Sequence, residues 1–355
     1  MITRRHTLAG LLAVAALPAT GLHAQTGGAL AFPYYSGEDA LQGLYAQHLP
    51  PLARDFEAQA QALTAAARQH CASSTATSTA LKDAWRRALL SWQALSSPAL
   101  GPVIERRSQR QIDFWPTRPA LLVKALARAP QTLADMESIG TPAKGFPAFE
   151  QLQAAKPSPA HCPYLVLLAE GIAAEATALR TGFDALAARD WTSDEDAARA
   201  AFAEWINQWL GGLERLRWAH IEQPVQKART AGPGHAPAFA RRSPADNAAE
   251  WRAQWKALLV QARLSPAQRT QPPQPGQGLI PIEALLMGKG QIALAQRWGQ
   301  ALDRADAAIA ALPAKAGDQD LMALSKTLKG VTTLFQTEVA AALDVPLGFS
   351  DADGD

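Results

Sequence analysis

The chain has 355 residues, 48% hydrophobic and 19% charged, which excludes a disordered or fibrous protein and leaves room for one large domain or two ordinary ones. Its 34 basic and 32 acidic side chains give a net charge of +2, and that excess sits in a leader carrying Arg4 and Arg5; residues 25 onward hold 32 of each. A neutral protein has no global field for gathering nucleic acid or anionic lipid, so nucleic acid is excluded as a partner.

Residues 1–24 read as a secretory signal: Arg4 and Arg5 precede the apolar run Leu8 to Leu17, and Leu22-His23-Ala24 offers a small residue for cleavage. That run is too short to span a bilayer, so no transmembrane span is expected. The string Thr3-Arg4-Arg5-His6-Thr7-Leu8 also suggests twin-arginine export, and the choice between that route and the general secretory one stays open. No cysteine follows the run, which argues against a lipid anchor and for a soluble protein in the periplasm. Cys71 and Cys162 are the only cysteines, and an even count in an oxidising compartment favours one disulfide over two free thiols.

The rest of the chain predicts helix nearly throughout. Trp85, Leu89 and Trp92 share one helical face; Leu165, Leu168, Ile172, Ala176, Leu179 and Phe183 share another. Phe202, Trp205, Trp209, Leu213 and Leu216 repeat the pattern, as do Leu321, Leu324, Leu328, Val331 and Phe335. The fold class is all-α. Proline- and glycine-rich stretches at 141–163, 229–245 and 264–281 break the helices, and 229–245 is the natural linker. It separates a first helical bundle at 25–228 from a second at 246–355.

The two parts look alike. AWRRALLSWQAL around Trp85 and Trp92 matches EWRAQWKALL around Trp251 and Trp255. Each is followed by a segment with glutamate five residues after glycine, Gly145 to Glu150 and Gly278 to Glu283. The pattern points to an internal duplication forming two bundles.

Four strings, in order along the chain, carry a resemblance to a known family. They are Arg110-Gln111-Ile112-Asp113-Phe114-Trp115-Pro116, Gly145 to Glu150, Arg242-Ser243-Pro244-Ala245-Asp246-Asn247, and the acidic ending Leu347 to Asp355. Together they resemble the imelysin family of exported bacterial proteins. The resemblance implies a two-domain helical fold with a pocket near the domain interface, export to the envelope, and either a zinc-type peptidase or a component linked to iron uptake. A divalent metal ion, iron or zinc, is the cofactor class it implies, with other envelope iron-uptake proteins as partners.

Gly145 to Glu150 aligns with the family motif GxHxxE, in which histidine and glutamate lie three apart on one helical face and can share a metal. Here Pro147 stands at the histidine position, and Glu150 has lost that companion. Gly145 outside a helix that starts near Pro147 places Glu150 at the first turn, where the amide dipoles hold a carboxylate's pKa low. Capping is the default reading of Asp113 and of Ser243, with arginine binding the alternative for Asp113. His220 falls on the apolar stripe and reads as a hydrogen-bonded core histidine.

Two readings follow. The first is a non-catalytic periplasmic binding protein linked to iron or metal uptake, its small ligand or metal held near Glu150, Asp113, Trp115, Arg118, Arg242 and Ser243. No catalytic residue is then assigned, and Glu150 is the one candidate metal ligand. The second is an imelysin-type metallopeptidase using zinc-activated water. An envelope scaffold whose tryptophan-rich faces bind a partner protein is a further alternative.

Overall fold

A computed structural model describes residues 31–72, 78–154, 161–313 and 315–348. The leader at 1–24 and the acidic ending beyond Gly348 lie outside the described residues. Within them the protein is helical with no strand, as the periodicity predicts.

The helices that frame the core and the site are α1 (Leu49–Ala72), α2 (Ser78–Ser96), α3 (Gly145–Ala154), α4 (His161–Ala187), α5 (Glu195–Glu214), α6 (Pro244–Ala262), α7 (Ile282–Gly288), α8 (Ile292–Ala310) and α9 (Asp318–Leu334). Their starts and stops follow local chemistry. Asp194 caps α5 by accepting from the Ala197 amide, Pro244 opens α6 at its first position, and Gly232 at φ +102° ends the helix Gln223–Ala231.

Apolar stripes fix the packing. Phe56, Ala60, Leu63 and Ala67 of α1 are buried where α1 packs on both α2 and α4. Trp85 and Trp92 are fully buried, and α2 lies against α6, whose Trp251 and Trp255 are also buried. Trp209, Trp298 and Phe335 pack ring on ring where α5, α8 and the end of α9 meet. Helices from both sides of 229–245 therefore touch, and the buried apolar side chains from Tyr35 to Val345 form one contiguous cluster. Although α4 is long and apolar enough to cross a membrane, here it is a core helix: its Glu175 is buried and accepts from Arg106 and from the Ser108 hydroxyl.

Cys71 at the end of α1 is disulfide-bonded to Cys162 at the start of α4, across 91 residues of sequence. A bridge closing so long a loop acts mainly by restricting the unfolded chain. Replacing both cysteines by serine is expected to lower unfolding stability by about 2–4 kcal/mol, read from urea denaturation, with the helical content of the folded state unchanged.

Candidate functional site

The centre of the molecule holds a buried polar network that joins α2, the segment after Ile112, residues 241–243, α6 and the helical turn at Arg215–Glu222. Arg241 is its hub. The side chain is fully buried and donates through Nη2 to both oxygens of Asp113 at 2.7 and 2.9 Å, while Nε reaches Glu250 at 2.6 Å. Burial alone would lower the guanidinium pKa; the charges of Asp113 and Glu250 overcome that and raise it. Glu250, buried with it, has its pKa raised by desolvation, a shift that Arg241 opposes.

Asp113 is held from two further sides, by Trp92 Nε1 at 3.1 Å and Gln93 Nε2 at 2.9 Å. Its carboxylate thus takes the arginine-binding role rather than capping. The arginine is Arg241, far along the chain. Gln254 continues the network, donating to Gln93 Oε1 at 2.8 Å and to Glu250 at 3.2 Å, and facing His220 Nδ1 at 3.1 Å. His220 is the hydrogen-bonded interior histidine that its place on the stripe predicts.

Glu150 lies beside this network. It is the sixth residue of α3, which begins at Gly145, so it sits in the second turn and beyond the reach of the helix-terminal amides. The expectation of a lowered pKa is corrected: burial raises it, partly offset by the Arg242 amide, which donates to Oε1 at 2.9 Å, and by the charge of Arg241. A cleft of about 280 Å³ opens over it, lined by Lys82, Glu150, Gln153, Arg242, Ser243 and Asp246. Asp246 is itself held by Arg86 at 2.6 Å and approached by Lys82 at 3.8 Å.

The structure therefore brings Glu150, Arg242 and Ser243 into one cleft and places Asp113 in the network beside it. Trp115 is half-buried, Arg118 is exposed before the helix Pro119–Ala127, and neither lines the cleft. Ser243 occupies the position before α6, yet its hydroxyl makes no capping bond; its carbonyl instead accepts from Asn247 at 3.0 Å. Glu283 does stand in the first turn of α7, where it pairs with Arg263 and accepts from the Leu264 amide at 2.8 Å.

Sequence reasoning passed over Arg241, Glu250, Gln93 and Gln254. The signal was there: Glu250, Gln254 and Gln261 recur at helical spacing beside Trp251, Trp255 and Leu258, and all three are buried. Polar groups interleaved with tryptophans on an inward face must pair with one another.

The donor set around Glu150 does not fit a divalent cation. The cleft sets the cations Lys82 and Arg242 beside Glu150, its other carboxylate, Asp246, is already paired with Arg86, Glu150 Oε1 already accepts an amide, and Pro147 contributes no ligand. Among the described residues no group of three His, Cys, Asp or Glu side chains stands at metal-binding separation.

Two histidines shape the acid response. Burial lowers the pKa of His48 and of His220 from 6.5 to about 4, so each contributes stability that is complete above pH 6.5 and lost as the pH falls toward 4. His48 Nε2 has no hydrogen-bond partner among the described residues. His48→Leu is expected to shrink the stability loss between pH 7 and pH 4.5 by about 2–3 kcal/mol, read from urea midpoints across that range.

Comparison with known proteins agrees with this architecture. The imelysin family model, described as Peptidase_M75, matches residues 47–351. An imelysin-like protein from Psychrobacter arcticum 273-4 shares the fold with a TM-score of 0.69 at 19% identity, over 90% of this chain and 100% of that one. A candidate iron-regulated protein A precursor from Parabacteroides distasonis ATCC 8503 does so with a TM-score of 0.70 at 15% identity, over 88% of this chain and 98% of that one. Among curated proteins none matches. With its family match running through most of its length and the same fold in both relatives, the chain belongs to the imelysin family.

Proposed function

We propose that this imelysin-family protein is a non-catalytic binding protein of the periplasm, serving iron or other metal acquisition and holding its ligand in the cleft over Glu150. The observation that carries the reading is the occupation of Glu150. Where the family motif pairs the glutamate with histidine, this carboxylate is joined to the Arg242 amide and shares its cleft with Lys82, Arg242 and the paired Asp246. Such a site suits a ligand with both anionic and hydrogen-bonding groups better than a bare cation. Gln153 Oε1, in the same wall, has no partner among the described residues and can accept from a bound molecule.

The name of the Parabacteroides relative supports the iron connection, and the Cys71–Cys162 disulfide suits an oxidising compartment. The division into 25–228 and 246–355, related by duplication, belongs to the same proposal. The reading is tested by elemental analysis of protein purified from its native compartment, with a peptide-cleavage assay. Protein without stoichiometric metal and without turnover supports it. Stoichiometric zinc with chelator-sensitive cleavage overturns it in favour of a peptidase. Under iron limitation, a Glu150→Gln variant is expected to fail to restore growth to a strain lacking the protein.

A further inference from the structure

A second cavity, about 380 Å³ in volume, shares no lining residue with the cleft over Glu150. It lies between α4, the short helices Ser108–Ile112 and Leu133–Glu137, and the Lys144–Gly145 junction that opens α3. Its wall is largely apolar. Ile112, Met136, Leu168 and Ile172 line it and are otherwise buried, while Leu133, which also lines it, is left 40% exposed.

Gly171 adds space to that wall. It sits in the interior of α4, a helix of 27 residues, where glycine weakens the helix, and its φ lies outside the left-handed range. A Cβ there would meet nothing within 4 Å, so neither backbone conformation nor a close neighbour calls for glycine. What the missing side chain leaves is room in the cavity.

The polar groups around the cavity are not equivalent. Glu175 is satisfied: Arg106 Nε and Nη2 donate to its two oxygens at 3.0 and 2.7 Å, and the Ser108 hydroxyl adds a third bond at 2.6 Å. Gln111 and Glu137 are exposed, where water screens the Glu137 charge. Lys144 is half-buried, and its ammonium has no salt bridge or hydrogen bond among the described residues; burial lowers its pKa, opposed by the charge of Glu137 alone. The polar group here that is both sheltered and unpaired is therefore a cation.

We propose that this cavity binds a medium-chain alkanoate, its apolar body against Ile112, Met136 and Ile172 and its carboxylate on the Lys144 ammonium. The chain displaces water from the apolar wall, and the carboxylate supplies the charge that the half-buried ammonium lacks. The site goes beyond the cleft over Glu150 and does not depend on it.

Calorimetry on the full chain with butanoate, hexanoate and octanoate, and with 1-octanol and octylammonium as neutral and cationic analogues, tests the assignment. Each added methylene is expected to tighten binding about fourfold. Octanoate should bind about tenfold or more tightly than 1-octanol, the worth of one sheltered charge-assisted bond, and octylammonium weakest of the three. Lys144→Met should erase the advantage of octanoate over 1-octanol. Gly171→Leu should weaken octanoate at least about tenfold while melting no lower than the parent, because the side chain fills the cavity and leucine favours helix. Glu150→Gln should leave octanoate binding unchanged. Affinity independent of chain length, octylammonium binding as tightly as octanoate, an undiminished carboxylate preference in Lys144→Met, undiminished binding in Gly171→Leu, or a lower melting temperature for that variant would each overturn the proposal.

Discussion

Replacing Arg241 by methionine is expected to cost about 3–5 kcal/mol of stability, because it strands the carboxylates of Asp113 and Glu250 in the interior. Arg241 is fully buried and is the cation bonded to both. Removing the charge without the acids leaves two like charges facing each other out of water. Adding Asp113→Asn and Glu250→Gln to Arg241→Met is expected to recover most of the loss, since an all-neutral network no longer carries the uncompensated charge. Urea denaturation of the single and triple variants at pH 7.5 measures both. The single variant has its own pH signature. Burial raises the pKa of Glu250, and the loss of Arg241 raises it further. The unfolded chain releases that proton first, so stability falls as pH rises from the ordinary carboxylate value through the raised one. Arg241→Met should therefore be least deficient in mild acid. Equal loss at pH 5 and pH 8 would show that the carboxylates are not the source.

Gly145→Ala is expected to destabilise by more than about 3 kcal/mol, the range of a strained backbone joined to a steric clash. Gly145 has φ +66°, and a Cβ there would lie 2.0 Å from the carbonyl oxygen of Ile112. The cost is both conformational and steric, and backbone rather than a mobile side chain would have to move. The neighbouring residue Asp113 is bound to Arg241, so the movement would be felt in the network. A stability loss below 1 kcal/mol, measured by thermal and urea unfolding, would show that the two segments are free to part. The glycine of the motif is thus explained here by contact between chain segments, independently of any metal.

The helices were legible in the sequence because a buried helix must place apolar groups at steps of three and four, and Leu165 to Phe183 and Leu321 to Phe335 do so. The breaks at 229–245 and 264–281 were legible because proline and glycine cannot continue a helix. The pairing of Cys71 with Cys162 was legible as a matter of count. Half of the site was legible through the motif strings, which brought Glu150, Arg242 and Ser243 together, whereas Trp115 and Arg118 lie off the cleft.

The charge states were not legible. Glu150 was expected to hold a low pKa from its distance to a proline, but the helix begins two residues earlier and the side chain is buried, so desolvation outweighs the dipole. Asp113 could be a cap or an arginine ligand on local grounds alone, and its partner is 128 residues away.

By itself, the sequence determined the helical class, the turns and the absence of an imidazole at Pro147, since each depends on residue type and short-range spacing. Only the tertiary structure decided that Arg241 neutralises Asp113 and Glu250, and that Lys82, Glu150, Arg242, Ser243 and Asp246 share one cleft. Ion pairing in the interior depends on which distant side chains the packed helices carry into contact, and on how completely water is removed from them.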